Sequence, residues 1–465
     1  MRFAGLIVAA FFWLIVLTAA REELPAVPAI FFPQDSLAPV LPDQLFNYRQ
    51  INIPTYLQEA LDSFNTPFLP LLEELTDAGA TLGRVLFYDK KLSANQSISC
   101  ASCHQQASSF GASSALSPGL YGILTSRNTI PINHLAFAPG NPVFWDGRIQ
   151  SIPEQVTMPI FHPEEMGMEE SLLISRLEQT SYYAPLFTAA FGDAQISLSR
   201  IRDALTQFVV SMASFESRFD QMQESGNLNV FTEAEQQGWL LFQEACVACH
   251  IEGHFGTDSM FNIGLDMVYQ DSGMAAWTGN PQHIGAFKSP TLRNIALTAP
   301  YMHNGRFQTL EEVVNFYSEE IAPHPNNHIA TLLQLPLPFR GFRYNDTEKA
   351  ALVAFLHTLT DTLLVSHEKW ADPFLLSSAV PALVTGVHVR IFPNPTRDYI
   401  QVQWSSQRMT PAHIQVFSLS GMKMLDVQGL QGNDVQLAVR NFASGVYLLV
   451  WKQEDYQVSQ KIIIP

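Results

Sequence analysis

The sequence predicts a mainly α-helical protein that ends in an all-β sandwich of immunoglobulin-like type, and three observations carry that expectation. Between about Leu57 and Thr360 apolar residues recur at helical spacing; Ile201, Leu205, Phe208, Met212 and Phe215, for example, share one stripe. Beyond residue 386 the pattern alternates in short runs: Val387-Val389-Ile391, Ile400-Val402-Trp404, Ile414-Val416, Val435-Leu437-Val439, Val446-Leu448-Val450 and Ile462-Ile464. Pro393-Asn394-Pro395, Ser420-Gly421 and Ser444-Gly445 punctuate them as turns, which reads as about seven strands. The third observation is a motif, Cys-x-x-Cys-His, that occurs once in each half of the helical part.

The elements justify this in order. Met1-Arg2, the apolar run from Phe3 to Leu17 and Thr18-Ala19-Ala20 give residues 1–20 the charge, apolar core and small-residue exit of a signal peptide; an uncleaved membrane anchor is the other reading of so long a run. Residues 21–54 carry Pro25, Pro28, Pro33, Pro39, Pro42 and Pro54 without periodicity and read as an extended arm. A first helical domain is expected over 55–228, with a short helix at Leu82 to Tyr88 ahead of its motif. A second is expected over 229–362, where a helix starting near Thr232 carries Glu233 and Glu235 in its first turn and closes on the second motif. Asp346-Thr347-Glu348 opens a last helix through Phe355 to Leu359. Residues 363–385, with Pro373 and Pro381, read as a linker to a β domain at 386–465. Charged residues make up 15% of the 465, the net charge is −17 and no basic run appears, which argues against nucleic acid as a partner.

The two motifs are Cys100-Ala101-Ser102-Cys103-His104 and Cys246-Val247-Ala248-Cys249-His250, and they use all four cysteines of the chain. Cys-x-x-Cys-His is the attachment signature of haem c: both thiols add to the porphyrin and the adjacent histidine binds iron. Zinc or dithiol chemistry could use the same side chains, but nothing in either requires histidine directly after both pairs. Two cytochrome c-like domains, each wrapped on its own haem c, are therefore expected. Haem c attachment is completed outside the cytoplasm, in agreement with an exported chain.

The last 80 or so residues resemble the C-terminal sorting domain of the type IX secretion system. The resemblance rests on Phe392-Pro393-Asn394-Pro395, Phe417-Ser418-Leu419-Ser420-Gly421, Ala443-Ser444-Gly445-Val446-Tyr447 and the closing Lys461-Ile462-Ile463. It implies the type IX machinery as a partner and passage through the periplasm to the cell surface or beyond. An immunoglobulin-like adhesion or carbohydrate module is the alternative.

From Leu82-Gly83 to about Thr360 the chain resembles the bacterial dihaem cytochrome c peroxidase family, which includes MauG. Besides the haem motifs the matching residues are Arg127-Asn128-Thr129, Phe144-Trp145-Asp146-Gly147-Arg148, Gln155 to Met166, the run Phe287 to Asn294 and the run Leu297 to Gly305. The resemblance implies that His104 is the fixed ligand of a peroxide-reducing haem, with Glu165 as general acid/base and Gln155 orienting peroxide or water. Taken alone, Glu164 and Glu165 would read as a solvated turn. Many family members cap the first iron with a histidine from the loop before the Arg-Asn motif, and residues 105–126 contain none. The first haem is accordingly expected to be high-spin and active without reductive priming. Trp145 is implied as an indole relay between the haems, against the plainer reading of a core aromatic.

His250 is implied as the fixed ligand of the second haem. The family places the opposite ligand 19 residues after the threonine of Leu-Thr-x-Pro, which from Thr298 gives Tyr317. Tyrosinate would favour ferric and higher states as in MauG, whereas methionine would raise the potential. Thr309-Leu310-Glu311-Glu312 also reads as a capping box, and Leu310, Val313, Val314 and Tyr317 as an apolar stripe that would bury this tyrosine in any case. Met302 is the main rival ligand; His303 and His324 are weaker ones. Relatives bind one calcium ion between the domains, which carries over to Asn128, Thr298 and Pro300.

The leading expectation is thus a secreted dihaem peroxidase that reduces hydrogen peroxide with electrons from a small redox protein such as a cytochrome c or cupredoxin. A MauG-like oxidase that uses a high-valent iron state on a protein or small organic substrate is the second. The third, a non-catalytic surface electron carrier, requires both irons to be capped. Relatives are often homodimers.

Overall fold

The computed structural model describes residues 38–63, 69–138, 142–336, 338–374, 388–392, 396, 398–405, 411–418, 423–453 and 456–464. The expected signal peptide, most of the arm, residues 375–385 of the expected linker and the Pro393-Asn394-Pro395 and Ser420-Gly421 turns lie outside them. No helix among the described residues is long and apolar enough to cross a membrane.

Two helix crossings organise the α-helical part. Helix α1 (Asp77–Tyr88) starts where the Thr76 side chain accepts the Gly79 N–H, and it packs along α2 (Leu198–Val210). The crossing is close because Gly83 has no side chain: a Cβ there would stand 2.0 Å from the Ala204 carbonyl oxygen. Helix α3 (Glu233–Ala245) crosses α4 (Asp346–His357) in the same way, with Gly238 against the Ala351 carbonyl at 1.9 Å. Each cysteine motif follows the first helix of its pair, so the two halves repeat one plan. The Thr232 capping box of α3 is as expected, Glu235 Oε2 accepting the Thr232 N–H at 2.7 Å. Helix α1 is longer than expected at its start. Helix α2 ends at Val210, so Met212 and Phe215 of the expected stripe are buried in the loop that follows.

Separate apolar clusters reflect these pairs. The first runs from Tyr48 through Phe87, Phe110 and Phe208 to Phe215. The second begins at Phe219, upstream of the boundary expected at residue 229, and ends at Leu359. Residues 363–374 are not a free linker: Leu364 and Trp370 belong to the first cluster, and the Trp370 indole N–H donates to the Ser211 carbonyl at 3.1 Å. The described end of the arm is equally attached. Tyr48 is fully buried and its hydroxyl donates to the Lys369 carbonyl.

Strands β1 (Met260–Phe261) and β2 (Phe287–Lys288) make a small antiparallel ladder within the helical part. The C-terminal part holds seven strands among its described residues: β3 (His388–Phe392), β4 (Tyr399–Ser405), β5 (Ala412–Ser418), β6 (Lys423–Leu430), β7 (Asp434–Ala438), β8 (Gly445–Gln453) and β9 (Tyr456–Ile464). They form an antiparallel sheet β3-β4-β7 and another β6-β5-β8-β9, and side chains of both, from Ile400 and Val402 to Ile414 and Trp451, share one core. Two details differ from the alternation read in the sequence. Strand β6 carries no clean alternation because it is an edge strand whose side chains are mostly half-buried or exposed. In β8 the core face is Tyr447, Leu449 and Trp451, while Leu448 is exposed, so the phase is shifted by one residue.

Candidate active site

The first cavity forms where the loop after α1 returns as a single helical turn, Cys100–Cys103, capped by Ser99. His104 follows at its end, and its Nδ1 lies 2.8 Å from the Phe110 carbonyl. That bond fixes the ring and leaves Nε2 directed elsewhere. Burial pushes the imidazole down to about 4, so it is neutral and able to ligate. Cys100, Cys103 and His104 line an apolar space of about 570 Å³, counting the part open to solvent, with Phe87, Ile132, Leu205 and Val209 as walls.

Gln155 and Glu165 line the same cavity. Gln155 ends the short helix Ile152–Gln155, begun by a Ser151 cap, and the turn Met158–Phe161 with Pro159 carries the chain on to Glu165. Glu165 Oε1 is 3.8 Å from His162 Nδ1. Burial raises the Glu165 carboxyl, against the opposing influence of His162 and Arg148. Glu164 faces solvent, and its carbonyl accepts the Leu120 N–H at 3.0 Å. His104 is the one imidazole among the described residues lining this cavity.

The second cavity is larger, about 1660 Å³ on the same measure, and Cys246, Cys249 and His250 line it. His250 Nδ1 lies 2.9 Å from the Phe255 carbonyl, repeating the first arrangement, and burial again lowers the ring to about 4. Tyr317 and Met302 both line this space, as do Leu310, Val313 and Val314. The Thr309 capping box is present, with Glu312 as its partner, but the helix Leu310–Asn315 then widens into a π-helical turn, Phe316–Glu320, which carries Tyr317. Tyr269 and Tyr301, on the same walls, spend their hydroxyls on Asn262 and the Ile295 carbonyl. No hydrogen bond engages the Tyr317 hydroxyl among the described residues. His303 lines the cavity stacked on Phe287, with ring centroids 3.8 Å apart, whereas His324 is held outside it by Asn262 and Asn326.

Trp145, Asn128, Thr298 and Pro300 all line the second cavity. The Trp145 indole N–H donates to the Asn128 carbonyl at 2.8 Å. Trp145 lines the second cavity, and the chain just after Asn128 serves both cavities: Pro131 lines the second and Ile132 the first. Asn128 directs its Nδ2 to the Ser114 and Ala115 carbonyls, at 3.1 and 3.2 Å.

Sequence reasoning did not single out several groups here. Lys288 is buried on the second cavity, where burial lowers its ammonium to about 8. Ser289 Oγ donates to the Cys249 carbonyl at 2.7 Å. Arg127 bridges Asp146 and Asp271, both at 2.6 Å. The Arg127 and Asp146 motifs pointed to this region, but Asp271 comes from a segment without a pattern of its own.

Two apolar cavities, each lined by a complete Cys-x-x-Cys-His set with its imidazole fixed from behind, define a dihaem c-type protein. Residues 77–227 match the family model of di-haem cytochrome c peroxidase, and residues 390–465 match the secretion system C-terminal sorting domain. The MauG protein of Methylophilus methylotrophus is 32% identical over 298 residues, 62% of this chain and 84% of that protein. The cytochrome c551 peroxidase of Nitrosomonas europaea is 32% identical, over 60% of this chain and 79% of the relative. Among solved structures, a MauG-like protein associated with microbial copper homeostasis superposes with a TM-score of 0.57 at 33% identity, covering 64% of this chain and 94% of that one. The dihaem peroxidase BthA of Burkholderia thailandensis, at 23% identity and a TM-score of 0.52, shares the fold. The chain belongs to the bacterial dihaem cytochrome c peroxidase/MauG family, whose members carry two haem c groups, and it ends in a type IX sorting domain that marks it for export.

Proposed function

We propose that the protein is an exported peroxidase that reduces hydrogen peroxide at the first haem, with electrons delivered through the second from a small redox protein. The observation that carries this reading is the first cavity, whose lining holds one imidazole, His104, together with a carboxylate and an amide, Glu165 and Gln155. A haem c held by Cys100, Cys103 and His104 would supply the iron that accepts electrons and binds peroxide. Glu165 takes the proton from the near oxygen of peroxide and returns it to the far oxygen as the O–O bond breaks, so that the leaving group departs as water. A carboxyl raised by partial burial suits both halves of that transfer. Gln155 orients the peroxide through its amide. Two electrons and two protons complete the reduction of one peroxide to two waters.

Trp145, on the wall of the second cavity, serves as the relay. Asn128, Thr298 and Pro300 offer neutral oxygens for one calcium ion, and Asn128 Oδ1 has no other partner among the described residues. The C-terminal domain acts as an immunoglobulin-like address for the type IX machinery, delivering the enzyme to the cell surface.

A MauG-like oxidase acting on a protein or organic molecule is the second reading. It is favoured by Tyr317, whose unengaged hydroxyl faces the second cavity with Met302 as rival. Glu165→Gln separates catalysis from structure: the rate of reaction with peroxide should fall about 10²–10⁴-fold while both haem spectra persist. Near-normal kinetics would remove the acid/base role.

A further inference from the structure

The geometry points to Trp277 as the place where single electrons enter from the partner protein, one step outside Trp145. This rests on the relay reading of Trp145 and extends it to the surface.

Trp277 lies on the short helix Ala275–Thr278 and is 46% exposed, which is unusual for an indole that the fold also holds in place. Its Nε1–H donates to the Asp146 carbonyl at 2.9 Å. Asp146 is bonded directly to Trp145, whose own indole donates to Asn128 on the wall of the second cavity. A half-exposed indole is thus joined to a buried one by one hydrogen bond and one residue of backbone.

The surroundings keep this path rigid. The Asp146 carboxylate accepts from Arg127 and Arg148, and Arg127 reaches across to Asp271 through two nitrogens, at 2.6 and 2.9 Å. Asp271 Oδ1 in turn accepts the Gly273 N–H at the start of the segment that carries Trp277. The Lys288 N–H donates to the Trp145 carbonyl at 2.8 Å, tying the same link to β2. Such bracing ties the segment that carries Trp277 to the one that carries Trp145.

The step balances. When Trp145 has given an electron to a haem held in the second cavity, Trp277 supplies one to it and is itself restored by one electron from the reduced partner. The Trp277 N–H keeps its proton, because a peptide carbonyl is too weak a base to take it, so the relay moves electrons alone. Two passages, with two protons from solvent, match the demand of one peroxide.

The test uses the full-length protein with both haems, a reduced small cytochrome c as donor, and the variants Trp277→Phe, Trp277→Tyr and Trp145→Phe. Trp277→Phe should slow about tenfold both kcat with the protein donor and, in the absence of peroxide, the reduction of the ferric haems by that donor followed by stopped-flow absorbance, and leave unchanged the single-turnover reaction of pre-reduced protein with peroxide. Trp277→Tyr, which restores a redox-active ring, should recover part of the loss. A Trp277→Phe protein with normal kcat, or one slowed equally in single turnover, would overturn the assignment, as would a tyrosine variant no faster than phenylalanine. If Trp145→Phe is slow and Trp277→Phe is not, the entry point is wrong and the inner relay stands. If neither matters, the relay reading of Trp145 fails with it.

Discussion

Glu164 and Glu165 are adjacent in the chain and opposite in environment: one is solvated, the other lines the cavity that holds His104. The difference arises from the turn after Pro159, which the residues themselves do not announce; only the ten-residue interval from Gln155 and the resemblance singled out Glu165. The same holds at the second cavity. An apolar stripe would bury Tyr317 in any helix, yet it could not foretell a π-helical turn or a hydroxyl left without a partner. If Tyr317 is the iron ligand, Tyr317→Met should raise the potential of the second haem and change its spectrum, because a thioether favours ferrous iron. Potentiometric titration with optical detection decides it, and identical values would refute ligation. Lys288 and Trp277 were invisible for a plainer reason: their placement depends on a ladder and a hydrogen bond between segments distant in sequence.

At the scale of elements the legible features were those that local chemistry sets. The capping boxes at Thr232 and Thr309 were readable because serine or threonine followed three residues later by glutamate is a local device. The haem motifs were readable because attachment demands that spacing. The close crossings of α1 with α2 and α3 with α4 were not, since Gly83 and Gly238 reveal their use only when the facing carbonyl is known. Gly83→Ala tests the crossing. Helix propensity would gain up to about 1 kcal/mol, but a methyl group driven into the Ala204 carbonyl must separate the helices, and overpacking costs about 1–3 kcal/mol. Net destabilisation is expected in urea unfolding of the haem-bound protein, and a variant as stable as the parent would mean the helices part easily. In the β domain, β6 was missed because an edge strand with few buried side chains carries little alternation, and β8 was phased wrongly because its outward positions are apolar too.

Across the whole molecule, the pair Asp220–Arg293 fastens regions that the sequence suggested were separate. Arg293 donates to both Asp220 oxygens, to the Tyr56 hydroxyl and to the Gly253 carbonyl, and its guanidinium lies 4.7 Å from the Phe215 ring centre. Burial alone would raise the Asp220 carboxyl, but Arg293 outweighs it and holds it below the usual range. A depressed carboxylate stabilises the fold above its unfolded pKa, about 3.9, and that contribution is lost as pH falls through the lower folded value. Asp220→Asn should therefore weaken the fold by about 3–5 kcal/mol at neutral pH and flatten the dependence of stability on pH below about 5. Circular dichroism during acid titration measures this, and an unchanged acid slope would show that the pair does not couple to folding.

The account depends on unequal irons: one with a face left open beside Glu165, the other closed by the protein. The most direct measurement is the ferric spin state of the resting protein, by electron paramagnetic resonance with and without added cyanide. One high-spin signal that cyanide converts to low-spin, beside one low-spin signal that does not respond, is the predicted result. Two low-spin irons, neither taking up cyanide in any redox state, would contradict it.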